Sequence, residues 1–129
     1  MTTTEAPAAG LTISAAAEAS GLSVDTLRYY ERAGLTLDPP GRSSSGQRRY
    51  SESDVRWLGS LVMLRRTGMP IRDVKRFVDL YRVEGSEPDR LRILTAHRER
   101  VLADLTEIEG HLAAIDRKID FYQETVMNG

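Results

Sequence analysis

The last third of the chain contains an apolar repeat whose members are alternately three and four residues apart. The repeat consists of Leu91, Leu94, Arg98, Val101, Leu105, Ile108, Leu112, Ile115, Ile119, Tyr122 and Val126. Arg98 is its one member that is not apolar. Heptad spacing of this kind predicts a long helix with an apolar seam that packs against another helix. From Pro88 to Met127 the helix would be about 60 Å long, at a rise of about 1.5 Å per residue.

The partner of this seam is predicted to be the same helix of a second copy. A hairpin within one chain would need a second long helix, and the rest of the sequence contains none. The sequence therefore predicts a coiled-coil homodimer. The predicted dimerisation residues are Val101, Leu105, Ile108, Leu112, Ile115, Ile119 and Tyr122.

A short helix with two different faces is predicted between Ser23, which can cap its start, and Gly34, which can end it. At about 100° per residue the packing face contains Val24, Leu27, Tyr30 and Glu31. The opposite face contains Asp25, Arg28, Tyr29 and Arg32. Hydrogen-bond donors, an aromatic ring and positive charge on one face are what a helix needs to enter a major groove and hold phosphates.

The segments on either side complete a winged helix-turn-helix. Residues 14–19 are predicted to form an Ala-rich helix capped by Ser14, and Ser20-Gly21 supplies a tight turn. Downstream, residues 35–37 and 48–50 are predicted to pair as a two-stranded wing. Three arginines, Arg42, Arg48 and Arg49, would then lie on a protrusion suited to phosphates or a minor groove.

Two further helices are predicted before a break at residues 85–88. Ser51 and Asp54 resemble a capping box, Thr67-Gly68 ends the first helix, and Pro70 suits the first turn of the second. These helices carry the basic residues Arg65, Arg66, Arg72, Lys75 and Arg76. Each of them can contact DNA backbone or simply be solvated.

The charge of the chain is divided unevenly along its length. The whole chain has a formal charge of −1. Residues 28–76 contain eleven Lys/Arg and five Asp/Glu, a net +6, whereas residues 83–129 contain six and ten, a net −4. A basic head followed by an acidic tail is typical of a nucleic-acid-binding protein whose binding part is confined to the head.

The composition also argues against several other classes of protein. There is no cysteine, and the two histidines, His97 and His111, are fourteen residues apart. Disulfides and thiolate chemistry are thereby excluded, and we predict no metal, no cofactor and no enzymatic activity. Residues 1–10 have neither a basic start nor an apolar run, so they are predicted to be a disordered tail rather than a signal peptide. No segment is apolar enough to span a membrane, and we expect a cytoplasmic, nucleoid-associated protein.

Residues 11–80 resemble the DNA-binding domain of the MerR family of bacterial transcription regulators. The residues that carry the resemblance are Leu27-Arg28-Tyr29-Tyr30-Glu31, Gly34-Leu35, Arg42, Gly46, Arg48, Tyr50, Asp54 and Thr67-Gly68-Met69. Gln47 departs from the family pattern, which usually has Tyr at that position of the wing.

The resemblance implies a mostly α-helical fold with a winged helix-turn-helix head, residues 11–84, and a linker, residues 85–88. It also implies that the long helix, residues 88–127, pairs antiparallel with its copy. The predicted DNA-binding residues are Ser14, Asp25, Thr26, Arg28, Tyr29, Arg42, Gln47, Arg48, Arg49 and Tyr50.

The implied function is sequence-specific regulation of transcription by a homodimer on an inverted-repeat promoter site. The family's mechanism is to bend and untwist an over-long promoter spacer so that RNA polymerase engages both promoter elements. Repression by occlusion is compatible with the same residues. Two alternatives from other classes are an architectural or recombination accessory protein with a winged head, and an interaction adaptor that uses the coiled coil alone.

Within the family, the chain is most similar to the branch associated with aldehyde and thiol-stress responses. Members of that branch often have a reactive cysteine in the third helix, where this chain has Met63. A thioether is not activated by deprotonation as a thiol is. The signal is therefore a small molecule between head and coil, another protein, or nothing beyond protein abundance.

Overall fold

The computed structural model describes residues 10–37, 41–42 and 48–129, with the backbone alone at residues 41, 42 and 48. The predicted tail lies outside these residues except for Gly10. Gln47 and the predicted tip of the wing lie outside them as well.

The described residues are mostly helical, as predicted. The helices are α1 (Ile13–Ser20), α2 (Val24–Arg32), α3 (Glu52–Arg66), α4 (Ile71–Tyr81) and α5 (Glu87–Asn128). The strands are β1 (Gly41–Arg42) and β2 (Arg48–Arg49). The chain divides into two compact units, one ending at Leu91 and the other spanning Arg92–Gly129.

The first two helices and their turn form the predicted helix-turn-helix, but α1 begins earlier than expected. Thr12, not Ser14, is its N-cap, because the Thr12 hydroxyl accepts a hydrogen bond from the amide of Ala15 at 3.2 Å. Ser14 lies inside the first turn and is exposed. Gly21 adopts a left-handed conformation with φ of 81° and ends α1, which is a backbone geometry that glycine tolerates best.

The strand pairing differs from the prediction. Gly41 pairs with Arg49 and Arg42 with Arg48 in an antiparallel ladder, so residues 35–37 take no part in it. Tyr50 instead forms an isolated bridge with Leu11, and two hydrogen bonds of 2.8 Å join their backbones.

The helices α3 and α4 provide much of the core of the first unit. Ser51 and Asp54 form the predicted capping box at the start of α3. Pro70 precedes α4 as its N-cap instead of lying in its first turn. The buried apolar residues are Ala16, Ala17, Leu27, Tyr30, Leu35, Tyr50, Leu58, Leu61, Val62, Leu64, Met69, Val74 and Val78.

The long helix α5 has 42 residues, which corresponds to about 63 Å at about 1.5 Å per residue. It includes Glu87 and Pro88, so the turn before it ends at Ser86. Pro88 is tolerated there because the first amides of a helix have no acceptor within the helix. In the part of the chain that the structure describes, no helix meets the length and hydropathy needed to cross a membrane.

Candidate nucleic-acid interface

The helix α2 has the two faces that its sequence predicts. Leu27 and Tyr30 are buried, whereas Arg28 and Tyr29 are exposed, Tyr29 by 45% of its surface. Asp25 and Arg32 are also exposed. The buried pair fixes the rotation of α2 about its axis, so the polar side chains form one outward-facing row.

The start of α2 is closed by Ser23. Its hydroxyl oxygen accepts from the amide of Thr26 at 3.1 Å and also donates to the Thr26 hydroxyl at 2.9 Å. Asp25 lies in the first turn, where the helix dipole favours negative charge, and Arg32 lies in the last turn, where it favours positive charge. The polar row therefore begins and ends with charges that also stabilise the helix.

The end of α2 is a glycine-dependent reversal. Gly34 has a φ of 75°, its amide donates to the carbonyl of Glu31, and the amide of Leu35 donates to the carbonyl of Tyr30 at 2.9 Å. This is the pattern of a Schellman motif. Immediately after it, the chain runs through Thr36 towards the strand pair.

Three side chains from α3, α4 and the residue after α4 donate hydrogen bonds to four successive backbone carbonyls at this reversal. The indole nitrogen of Trp57 donates to the carbonyl of Leu35 at 2.9 Å. The ammonium of Lys75 donates to the carbonyl of Ala33 at 3.2 Å. The Arg82 guanidinium donates to the carbonyls of Gly34, at 3.0 Å, and Thr36. We call Trp57, Lys75 and Arg82 the carbonyl clamp.

The donors of the carbonyl clamp are themselves held in place. Asp79 lies between the two cations, with its carboxylate 3.8 Å from the Lys75 ammonium and 3.6 Å from the Arg82 guanidinium. The Trp57 ring is stacked on Phe77 at 6.4 Å and contacts Tyr81 at 4.8 Å between ring centroids.

Five of the predicted DNA-binding residues lie on α1 and α2, and the structure leaves most of them accessible. Ser14, Asp25, Arg28 and Tyr29 are exposed, and Thr26 is half-buried. Their accessibility permits the predicted contacts, which remain predictions.

Of the predicted wing residues, Tyr50 does not lie where expected. Its side chain is 2% exposed, so it is a core residue and cannot contact DNA in this conformation. The backbone bridge to Leu11 explains this position, because it holds Tyr50 in the body of the first unit. Arg49 is half-buried. The side chains of Arg42, Arg48 and Gln47 lie outside the described residues.

The basic residues of α3 and α4 divide between internal contacts and solvent. Arg65 donates to the carbonyl of Met69 at 2.7 Å, and Arg76 is 3.9 Å from Asp73. Lys75 belongs to the carbonyl clamp, whereas Arg66 and Arg72 are exposed. Sequence reasoning missed Trp57 and Arg82 as residues that support this surface. The one signal for Trp57 was that it is the single tryptophan, and Arg82 had no signal.

The predicted seam of α5 is exposed to solvent along the second unit. Ile108 is 62% exposed, although isoleucine is normally among the most buried residue types. Leu105, Leu112, Ile115, Ile119 and Tyr122 are also exposed, and Val101 is half-buried.

The family model described as MerR HTH family regulatory protein matches residues 11–80. The chain belongs to the MerR family. An HTH-type transcriptional regulator of Haemophilus influenzae is 34% identical over 114 residues, which cover 88% of this MerR-family chain and 84% of that protein. The HTH-type transcriptional regulator AdhR of Bacillus subtilis is 35% identical over 94 residues, 71% of this chain and 66% of AdhR.

Solved structures of MerR-family proteins have the same fold. A MerR family transcriptional regulator from Listeria monocytogenes superposes with a TM-score of 0.80 at 35% identity, covering 88% of this chain and 86% of that one. HiNmlR, described as a MerR family regulator lacking the sensor domain and bound to promoter DNA, superposes with a TM-score of 0.77 at 34% identity. That match covers 88% of this chain and 90% of HiNmlR. This MerR-family protein is therefore a DNA-binding transcription regulator, and the relatives named here are regulators, not enzymes.

Proposed function

We propose that this regulator binds an inverted-repeat promoter site as a homodimer, and that it bends and untwists the promoter spacer so that RNA polymerase engages both promoter elements. The observation that carries the proposal is the outward-facing polar row of α2 on a buried apolar face. A helix held in this way presents its side chains in a fixed arrangement, which base readout in a major groove requires.

Within each head, Arg28 has the geometry for reading a base. Its guanidinium is a planar fork that matches the O6 and N7 atoms of guanine, and its exposure leaves the fork free to reach them. Asp25 can accept a hydrogen bond from a cytosine amino group. Tyr29, Thr26 and Ser14 carry hydroxyls suited to phosphate oxygens. We assign Arg42, Arg48 and Arg49 of the wing to the flanking backbone.

We propose that residues 11–84 form the DNA-binding domain and α5 the dimerisation helix. The linker, predicted as residues 85–88, is shortened to residues 85–86 because Glu87 and Pro88 belong to α5. The exposed seam of α5 supports the dimer, because contiguous apolar surface of this length usually marks an interaction site. A second copy of α5 has the same seam and the same heptad spacing. Antiparallel pairing gives a two-fold axis, and a two-fold protein requires an inverted repeat in its DNA site.

Deformation of the spacer follows from two heads fixed on one coiled coil. If the separation of the heads does not match straight B-form DNA, binding costs deformation energy that depends on the sequence being bent. HiNmlR, a relative without a sensor domain, is bound to promoter DNA in its structure, and the match covers 90% of it. This supports promoter binding by the present chain.

Footprinting of the purified protein on its own genomic fragments tests this function, with a circular-permutation gel assay to measure the bend. We expect protection of an inverted repeat within a promoter spacer, together with a bend at its centre. Protection of recombination sites alone would favour an architectural protein, and no footprint at all would favour an adaptor. Either of these results would overturn the proposal.

A further inference from the structure

We propose that the carbonyl clamp is a positioning device, in which Trp57, Lys75 and Arg82 fix α2, the recognition helix, relative to the wing and thereby set sequence specificity. The inference rests on the proposed function, because it assigns a role in the reading of DNA to residues that are not predicted to contact a base.

The backbone that the clamp holds needs outside partners. The carbonyls of residues 33–36 lie past the last residue of α2, and residues 35–37 lie outside the described strand ladder. Leu35 is fully buried, so its carbonyl could not rely on bulk water. A buried acceptor without a donor is costly, and donors that carry charge make the stronger bonds. Two of the three clamp donors are cations.

The clamp connects this loop to rigid parts of the head. Trp57 projects from α3 beside the buried Leu58, and Lys75 projects from α4 beside the buried Val74. The aromatic contacts of Trp57 with Phe77 and Tyr81 set the direction of its indole N–H. Asp79 sets the positions of Lys75 and Arg82 at once, since its carboxylate lies within ion-pair distance of both.

The same cluster extends to the first turn of α5. The Arg90 guanidinium lies over the Tyr81 ring, 4.8 Å from its centroid, and Tyr81 contacts Trp57. The Arg90 side chain also donates to the hydroxyl of Ser86 at 3.1 Å. The clamp is therefore continuous, through contacts within the first unit, with the start of the helix that carries the dimerisation seam.

The proposed role is positional because base reading and phosphate binding differ in how much displacement of a side chain they tolerate. A side chain that reads a base edge must be held within about 0.5 Å of its productive position. Attraction to phosphates depends on charge and tolerates small shifts. If the clamp is lost, the recognition helix and the wing can move relative to each other. We then expect specific binding to fall more than binding to random DNA.

The test uses the full-length protein with two duplexes of equal length, the one recovered by footprinting and one of random sequence. Arg82→Met removes a donor that serves two carbonyls. Trp57→Phe keeps an aromatic ring and removes the N–H donor together with the second ring of the indole. Arg82→Lys keeps the charge near Asp79 but loses the planar fork. Arg56→Met is the matched control, because Arg56 is an exposed arginine that is 3.9 Å from Glu52 and contacts no carbonyl of the loop.

We expect Arg82→Met to lower the ratio of specific to random affinity by about tenfold, and Trp57→Phe by about threefold. Arg82→Lys should recover part of the loss, and Arg56→Met should leave the ratio unchanged. Hydroxyl-radical footprints of the variants should lose protection of the backbone flanking the inverted repeat before they lose it on the backbone of the two half-sites.

The alternative is a purely structural role, which would lower the thermal midpoint while leaving the affinity ratio and the footprint as they are in the wild-type protein. That outcome would overturn the proposed role of the clamp. It would leave the proposed function intact, provided that the wild-type protein discriminates between the two duplexes. A wild-type protein with equal affinity for both duplexes would instead overturn the proposed function, and this inference with it. Because Trp57→Phe is conservative, it keeps the test decisive if Arg82→Met does not fold.

Discussion

Arg28 provides the sharpest test at the scale of a single residue. Its side chain is exposed on the polar row of α2 and is predicted to read a base. Arg28→Ala should weaken binding to the specific site by about 1–3 kcal/mol, with a smaller loss on random DNA. Fluorescence anisotropy with both duplexes, at one fixed salt concentration, measures the two losses.

Arg28→Lys distinguishes the two chemical roles that Arg28 could have. Lysine keeps the positive charge but not the planar fork, so a base reader should lose most of its discrimination and a phosphate anchor should lose little. Arg28 would be shown to hold phosphate if Arg28→Ala lost equal affinity for specific and random DNA and Arg28→Lys kept the wild-type affinity for both.

Thiol-directed reagents should have no effect on this protein. The chain has no cysteine, and the family resemblance implies that Met63 occupies the position at which thiol-responsive members often have one. Aldehydes, thiol-directed alkylating agents and diamide should leave DNA affinity and promoter output unchanged in reconstituted transcription, at doses that do not oxidise methionine. A strong, thiol-reversible response of the purified protein would contradict this prediction.

Peroxide should act differently, because methionine can be oxidised to the sulfoxide. Met63 is 52% exposed and Met127 is 85% exposed, whereas Met69 is fully buried, so Met63 and Met127 should both be modified before Met69. Mass spectrometry of peptides from briefly treated protein should find the added oxygen on Met63, and Met63→Leu should remove that early modification. Equal early oxidation of Met69 would show that the packing between α3 and α4 is looser than the structure indicates.

Residue by residue, the sequence predicted well wherever a local pattern decided the outcome. The spacing of Leu27 and Tyr30 gave the buried face of α2, and the exposure of Arg28 followed. Tyr50 was placed wrongly because its position depends on the bridge to Leu11, which is far away in the sequence. Ser14 and Thr12 both have a hydroxyl group that can cap a helix, so residue type alone could not indicate which of them is the N-cap of α1.

At the scale of the element, the recognition helix should depend measurably on its cap. Ser23→Ala removes the acceptor for the Thr26 amide and should lower the free energy of unfolding by about 1 kcal/mol. Ser23→Gly should cost only a few tenths of a kcal/mol, because glycine is itself a tolerated N-cap. Urea unfolding of both variants without DNA measures the difference. Equal stability of the two variants would mean that the Ser23 hydroxyl does not stabilise α2.

In the wing, the second strand lies within the predicted residues 48–50 but the first strand was placed wrongly, and the reason is physical. The segment after α2 is too irregular for a helix, and residues 35–37 were therefore predicted to pair with residues 48–50. In the structure, the carbonyl of Leu35 accepts from Trp57, which is 22 residues away, and that of Thr36 accepts from Arg82, which is 46 residues away. Side chains from α3 and from the residue after α4 therefore occupy the acceptors that a strand would have used. No local pattern contains this information.

At the scale of the whole molecule, dimerisation should depend on the apolar seam. Ile108→Glu would place two carboxylates in an apolar coiled-coil core, where unpaired charge costs several kcal/mol. The exposed Ile108 on α5 motivates the change. Sedimentation equilibrium should show a monomer, and affinity for the inverted repeat should fall because the two half-sites are no longer bound together.

Ala103→Glu is the matched control for that change. Ala103 is exposed on α5, and at about 100° per residue it lies on the side of the helix opposite the seam. It adds the same charge to the same helix, so the dimer should survive. An Ile108→Glu protein that remains dimeric with unchanged DNA affinity would show that the coiled-coil assignment is wrong.

The carbonyl clamp has a consequence for the evolution of such regulators. Every amino acid supplies a backbone carbonyl, so the clamp does not depend on which side chains occupy positions 33 and 36. Mutations of Ala33 and Thr36, which are only half-buried, can accumulate without loss of the contacts that hold the loop. The positions that must keep their side chains are instead those of the donors, Trp57 and Arg82. After gene duplication, one copy could therefore acquire a new DNA site through substitutions in the polar row of α2. The carbonyl clamp would stay the same.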